Sequence, residues 1–286
     1  MTAFVTRFAP SPTGWLHRGH AFSALTAFNA AREAGGVFLL RLEDIDMARC
    51  RAEFSAGIVE DLTWLGLTWQ GAARRQSRRG EAYAAAIHTL RSGGLLYRCF
   101  RTRREVIDEI ARAPHGPVAP VTPGPLPADE ESRRLERGDP WAWRLSLAAA
   151  RRALGGFGGL VFNEEGHGPA GESGVVIAEP AKAGDAVLAR KDLGVSYHLA
   201  AVVDDADQGI THVIRGQDLF EAAHIQRLLQ ALLDLPTPTY RHHRLLLRPD
   251  GKRFAKRDAG ETLRDLRTRG VTPAALRRDL GFADGH

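Results

Sequence analysis

Helical and extended stretches alternate along the first 95 residues, with glycines at the change-overs. From Ala21 onward Phe22, Leu25 and Phe28 recur at helical spacing, and Gly35-Gly36 ends the run. Val37 to Leu42 then reads as a short, mostly apolar strand. Phe54, Ile58, Leu62 and Leu65 mark one face of a second helix that stops at Gly66. Tyr83, Ile87 and Leu90 mark a third, closed by Gly93-Gly94. Parallel strands need a long crossover between them, and a helix is the usual one. The rhythm predicts an α/β fold, a mostly parallel sheet covered by helices.

That rhythm breaks in the middle of the chain. Six prolines fall between Pro114 and Pro127, a density that neither a helix nor a central strand tolerates, so an extended surface loop is expected. A glycine-rich stretch from Gly155 to Gly174 follows, with strand-like fragments at 160–162 and 175–177. We read 96–190 as an inserted small α+β subdomain, lying between a first half of the core at 1–95 and a second half at 191–245. The second half opens with strand-like runs from Tyr197 to Val203 and from Thr211 to Ile214. It continues as a helix through Leu219, Ala223, Leu228 and Leu232. Residues 246–286 hold a basic loop and a short helical tail. One tail helix carries Leu263 and Leu266 and ends at Gly270; the other has Thr272 as N-cap and Pro273 at its first position.

With 286 residues, 44% hydrophobic and 26% charged, the chain has the composition of a globular protein with a sizeable core. No apolar run approaches the roughly 20 residues that span a bilayer. Residues 1–7 show no basic segment followed by an apolar block. A cytoplasmic protein without a membrane partner is expected. Two cysteines, Cys50 and Cys99, cannot build a disulfide framework. The net charge of +5 suits a polyanionic partner.

Chemistry concentrates at a few places. Arg7 to Gly14 is held out of helix by Pro10, Pro12 and Gly14, and His17-Arg18-Gly19-His20 stands where it turns into one. A helix N-terminus presents unpaired N–H groups and the positive end of its dipole, a seat for phosphate. Gly19 lets a ring or phosphate approach the backbone, and His17 and His20 could donate to oxygens that gain charge in reaction. The same four residues also fit a polar helix start with two surface histidines. Arg41-Leu42-Glu43-Asp44-Ile45-Asp46 puts three carboxylates at a strand's C-terminal end, where open α/β sheets bind ligands. They could hold an ammonium or form a solvated acidic loop. Arg7, close to a strand end, could clamp a carboxylate in fork geometry. Arg215 stands at a second strand-to-helix crossover, broken by Gly216, and Val202-Val203-Asp204-Asp205 reads as another strand end with Tyr197 upstream. Pro249-Asp250-Gly251 leads into Lys252, Arg253, Lys256 and Arg257, a basic turn that could close over a triphosphate or simply be solvated.

Taken in order, these segments resemble the catalytic core of the class I aminoacyl-tRNA synthetases of the glutamyl type, over roughly 1–100 and 185–260. His17–His20 looks like the HIGH motif, and Arg253-Phe254-Ala255-Lys256-Arg257 like the KMSKS motif, with Ala255 where a serine is usual. The resemblance implies a Rossmann-like core. Full-length glutamyl enzymes continue past the second motif into stem-contacting and anticodon-binding domains. This sequence ends soon after it, which resembles the short glutamyl-Q tRNA(Asp) synthetase family. That implies activation of glutamate by ATP and Mg²⁺ without tRNA, then transfer to queuosine at the wobble position of tRNA(Asp). Two alternatives remain: a truncated glutamyl-tRNA synthetase charging the tRNA 3′ end, and a non-catalytic tRNA-binding paralogue. A monomer is expected.

Carried over by position, the resemblance assigns Arg7 to the glutamate side-chain carboxylate, with Phe8, Ala9, Pro10 and Ser11 in the same segment. Glu43 takes the α-ammonium, and Tyr197 and Arg215 complete the pocket. His17, Gly19, His20, Arg253 and Lys256 hold ATP, and His17, His20 and Lys256 act at the reacting phosphate. Family members often carry a Cys-x-Cys pair, a tyrosine and a further cysteine as a zinc site. Tyr97-Arg98-Cys99-Phe100-Arg101 keeps only Cys99, and one soft ligand cannot hold a tetrahedral ion, so no structural zinc is expected. His115 reads as a surface-loop histidine. Arg101, Arg103 and Arg104 fit RNA contacts or a solvated helix face.

Overall fold

A computed structural model describes residues 3–101, 104, 122–190, 194–246 and 261–282. Most of the proline-rich loop, with His115, and the basic stretch holding Lys252, Arg253, Ala255 and Lys256 lie outside the described residues. In chain order the elements are β1 (Val5–Phe8), α1 (Arg18–Glu33), β2 (Val37–Leu42), α2 (Ala52–Trp64), β3 (Arg74–Arg75), α3 (Gly80–Ser92) and β4 (Leu96–Cys99). Next come α4 (Ala128–Glu136), β5 (Ala142–Leu145), α5 (Leu147–Ala153), β6 (Val161–Glu164), β7 (Gly174–Ile177), β8 (Val187–Arg190) and β9 (Gly194–Val195). The chain continues through α6 (Tyr197–Asp207), β10 (His212–Gly216), α7 (Phe220–Leu232), β11 (Thr239–His243), α8 (Leu263–Thr268) and α9 (Pro273–Asp279). Two compact units divide it: residues 1–78, 210–216 and 243–286, and residues 79–209 with 217–242. Residues 79–95 therefore group with the second unit.

The first unit is built on parallel pairing. β1 lies parallel to β2 with Arg7 opposite Leu39, and β2 lies parallel to β3. The start of β10 is tied to the start of β1, where the Thr211 N–H donates to the Val5 carbonyl at 3.0 Å and His212 stacks on Phe4. Helix α1 packs against all three strands β1, β2 and β10. Its buried face is Ala21, Ala24, Leu25, Ala27, Ala30 and Ala31, while Phe22 and Phe28 are half-buried. Small side chains let the helix lie close to the sheet, a feature that the spacing of its large residues does not announce. Gly36 is required by packing, since a Cβ there would stand 2.3 Å from the Phe4 carbonyl oxygen. Gly66, at φ +74°, ends the run after α2 as expected.

The tail completes this unit's core. Leu263, Leu266, Leu276 and Leu280 join Leu25, Leu40, Ile58, Leu62 and Leu65 in one buried cluster. Burying a leucine contributes about 1.5–3 kcal/mol each. The second tail helix starts as anticipated, the Thr272 hydroxyl accepting from the Ala275 N–H. The first starts on an unanticipated cap, the Thr262 hydroxyl accepting from the Asp265 N–H.

The second unit is mostly antiparallel. One sheet runs β4-β5-β8-β9, and β6 pairs antiparallel with β7 and parallel with β11. Helices α3, α6 and α7 pack together beside them. The strand expected from Tyr197 to Val203 is instead the beginning of α6. Residues 198–202 are all buried, so the run shows no polar face and its period cannot distinguish a buried helix from a strand. Asp204 and Asp205 consequently sit within a helix and not at a strand end. Asp204, 0% exposed, accepts from the Tyr83 hydroxyl at 2.7 Å and from Arg79 at 3.3 Å, fastening α6 to the start of α3.

Candidate active site

The segment after β1 and the residues after β2 come together at the C-terminal ends of these parallel strands. The Glu43 N–H donates to the Pro10 carbonyl at 3.0 Å, and the Arg51 N–H donates to the Pro12 carbonyl at 3.1 Å. Arg7, in β1, is 4% exposed, Glu43 8% and Arg215, in β10, 5%. Charged groups are rarely buried unless other charges or ligands compensate them. All three belong to the first unit, as do Phe8, Ala9, Pro10 and Ser11. Phe8 is a core residue at 7% exposure, so its side chain belongs to the packing.

Three carboxylates follow β2, and the fold gives each a different task. Glu43 meets the wholly buried Arg41, whose Nη2 stands 3.2 Å from Oε1. Residues two apart on an extended chain project to the same side, so the signal for this pairing lies in the spacing itself. Asp44 is a structural latch. It accepts from the Ser77 N–H at 2.8 Å, the Ser77 hydroxyl at 2.9 Å and Arg75 at 3.2 Å, holding down the segment after β3. Asp46 pairs with Arg49 on the exposed surface.

At the start of α1 the two histidines cap the helix reciprocally. The Gly19 N–H donates to His17 Nδ1 at 3.1 Å, and the His17 N–H donates to His20 Nδ1 at 3.2 Å. Their rings lie 3.8 Å apart at the centroids. This is a capping box made with imidazoles. Accepting at Nδ1 fixes each neutral ring in the tautomer that carries its proton on Nε2. The Gly19 N–H, one of the donors at the helix start, is therefore taken up by the cap. The H-x-x-H spacing, matching N-cap and N3 positions, is the sequence signal for it.

The flank of the basic stretch returns to the same helix start. Thr262 bridges to His17, the Leu263 N–H donates to the Leu16 carbonyl at 2.8 Å, and Arg18 pairs with Glu261 at 3.6 Å and Asp279 at 3.0 Å. Thr262 follows Lys256 by only a few residues in sequence. Tyr197 belongs to the second unit, half-buried at the first turn of α6 with its ring 5.6 Å from that of His198. Arg253 and Lys256 lie outside the described residues. Cys99 is buried in β4, and among the described residues no group of three or more His, Cys, Asp or Glu side chains could hold a metal ion. Among them, too, no helix is long and apolar enough to cross a membrane.

The family of class I tRNA synthetases (E and Q), catalytic domain, matches residues 3–116 and 173–282. A glutamyl-Q tRNA(Asp) synthetase of Rhodobacter capsulatus is 45% identical over 284 residues, 97% of this chain and 100% of that protein. Glutamate–tRNA ligase 2 of Dinoroseobacter shibae is 39% identical over 277 residues, 95% of this chain but 59% of that enzyme. The crystal structure of a glutamate tRNA ligase from Elizabethkingia meningosepticum, in complex with its amino acid, superposes with a TM-score of 0.71 at 28% identity, over 89% of this chain and 52% of that one. The chain thus spans little more than half the length of those ligases. Strands of the first unit ending in buried Arg7, Glu43 and Arg215, packed on a helix opened by His17 and His20, accord with these matches: the chain belongs to the class I tRNA synthetases of the glutamate and glutamine type, in the branch of the glutamyl-Q tRNA(Asp) synthetases.

Proposed function

We propose that the chain activates glutamate with ATP in the absence of tRNA and transfers it to queuosine at the wobble position of tRNA(Asp). The observation that carries the first half is that Arg7, Glu43 and Arg215 are all buried at strand ends of the first unit, Arg7 and Glu43 at those of adjacent parallel strands. An amino acid with an acidic side chain has one ammonium and two carboxylates, and this set offers one anion and two cations. Arg7 takes the side-chain carboxylate in a bidentate pair, Glu43 the α-ammonium, and Arg215 completes the pocket. Ala9, Pro10 and Ser11 line the same segment.

ATP then lies along the start of α1. His17 and His20, held by their mutual cap with Nε2–H as donor, stabilise charge growing on the phosphate oxygens. Gly19 lets the nucleotide come close, and Arg253 and Lys256 neutralise the departing pyrophosphate, with Mg²⁺ entering as part of the nucleotide substrate. The glutamate α-carboxylate oxygen attacks the α-phosphorus in line, and the bond from phosphorus to the pyrophosphate oxygen breaks. In the second step a queuosine hydroxyl attacks the acyl carbon and AMP leaves. No protein nucleophile is required. The division of labour is a split catalytic core, 1–95 and 191–245, with 96–190 serving the RNA and the basic loop of 246–286 the nucleotide.

The queuosine half is supported by the 45% identity to the Rhodobacter capsulatus glutamyl-Q tRNA(Asp) synthetase over that protein's whole length. Glutamate-dependent ATP–pyrophosphate exchange without tRNA tests activation, and glutamate transfer to tRNA(Asp) with and without queuosine tests the acceptor. Exchange and queuosine-dependent transfer are expected. No exchange by folded protein would overturn the activation reading. Transfer that ignores queuosine would move the acceptor to the tRNA 3′ end, as in the glutamate–tRNA ligases.

A further inference from the structure

Residues 117–172 lie outside the stretch that matches the family, and they carry half of an aromatic and arginine surface on the β4-β5 sheet. Arg98 of β4 stands directly opposite Trp143 of β5. Its guanidinium lies 5.0 Å from the Trp143 ring centroid and 5.1 Å from that of Trp141, whose rings meet edge-on at 4.8 Å. Both tryptophans are half-buried. Residues two apart share a face, so Arg98, Trp141 and Trp143 form one platform. The buried Tyr97 and Arg144 point to the other face, where Asp185 receives the Tyr97 hydroxyl at 2.8 Å and its carbonyl receives Arg144 at 2.5 Å.

Helix α4 lies over this platform with no buried residue of its own. Two of its contacts carry charge: Glu131 to Arg98 at 2.5 Å, and the Arg134 guanidinium over Phe100 at 5.6 Å. The Arg98 and Glu131 side chains remain 31% and 25% exposed. A helix with no fully buried side chain gives up little when it lifts. Glu131 thus occupies the position of an anionic partner on a guanidinium that already lies over both indoles. Phosphate competes for the same fork, and a base for the same rings.

We propose that Arg98, Trp141 and Trp143 form a single-stranded RNA platform, with Glu131 as the internal competitor that an RNA phosphate displaces. This rests on the tRNA substrate proposed above and adds the residues that seize its unpaired nucleotides. Bases splayed from a loop stack on indole, whereas bases locked in a duplex cannot.

The test measures binding of two RNA probes to the full chain by fluorescence anisotropy: the tRNA(Asp) anticodon stem-loop and a blunt duplex of its stem. Trp143→Ala and Arg98→Ala are expected to weaken stem-loop binding at least about fivefold, the low end for losing one stacked base. Glu131→Gln should tighten it about two- to fivefold, the range for relieving an exposed ion pair. Trp143→Phe, which keeps a ring, should bind close to the unaltered protein and guards against a folding defect in the alanine variant. All four should leave tRNA-free ATP–pyrophosphate exchange unchanged. That exchange reports the glutamate site alone, so failure of the activation reading registers separately. Unchanged stem-loop affinity in both Trp143→Ala and Glu131→Gln would overturn the proposal. So would equal losses for stem-loop and duplex.

Discussion

Both units bury charged side chains, yet they use them differently. In the second unit the buried acids Asp185, Glu164 and Asp204 each tie two elements together. Asp185 accepts from the Tyr97 hydroxyl and the Leu147 N–H, and burial plus that carboxylate push the Tyr97 phenol well above its ordinary range. Glu164 accepts from the His242 N–H and the Gly166 N–H, both at 2.8 Å, and meets His242 Nδ1 at 2.5 Å. Burial works against its charged form, but the His242 ring and these backbone donors outweigh it and hold the carboxyl below the usual carboxylate range. In the first unit Arg7, Glu43 and Arg215 stand at strand ends, where a parallel sheet opens to ligands. Neither burial nor a place at a strand end alone separates a substrate-binding charge from a structural one: Asp44, one residue past Glu43 and as deeply buried, is a latch.

The largest expected effect sharpens that contrast on the first unit's side. Arg7→Ala should lower glutamate-dependent exchange by about 10²-fold or more, the scale of losing a buried charge pair, while ATP binding by calorimetry stays near that of the unaltered protein. Arg7→Lys keeps the charge but not the fork and should recover only part of the rate. Loss of ATP binding instead would show that Arg7 serves the nucleotide. On the other side, Glu164→Gln should cost about 3–5 kcal/mol in denaturant unfolding at neutral pH, with exchange per folded molecule unchanged. A carboxyl lowered by folding contributes stability above its ordinary pKa and loses it as pH falls through the folded value. The gap between Glu164→Gln and the unaltered protein should therefore close in acid. Exchange loss without a stability cost would break the comparison.

Asp61 is an exception inside the first unit. It is buried in α2, with Arg267 of α8 at 3.4 Å. Burial raises its carboxyl to about 6, against the opposing charge of Arg267. A raised acid stabilises the fold below its ordinary pKa and loses that contribution as pH rises through about 6. Asp61→Asn should then stabilise the protein at pH 8 by up to about 3 kcal/mol and change little at pH 4. Equal effects at both pH values would mean that lost packing, not charge, dominates. The smallest effect is local: Thr272→Ala removes the cap of α9 and should cost about 1 kcal/mol in thermal unfolding, with exchange intact.

Much of this architecture is legible in the sequence. The alternation from β1 to α3, the cap at Thr272 and the positions of Arg7, His17, His20, Glu43 and Arg215 all follow from period, glycine punctuation and motif order. These signals are local, because each depends on residues within a turn or two of one another. The helix at 197–207 escapes because its first turns are buried nearly all round, which erases the polar face that announces a helix. The sorting of Glu43, Asp44 and Asp46 into three tasks escapes because burial and distant partners decide it. Arg41 is enclosed beside Glu43, Ser77 reaches Asp44 from beyond another strand, and Asp46 stays with Arg49 at the surface.

The sequence alone therefore determines which chemistry-bearing groups exist and which stand at strand and helix ends, since backbone preference and spacing act at short range. Only the tertiary structure decides which buried charges are closed by the protein's own donors, how the histidines spend their Nδ1 atoms, and that the C-terminal leucines belong to the first unit's core. Most of those outcomes depend on contacts between residues tens to hundreds of positions apart, and no local pattern records them.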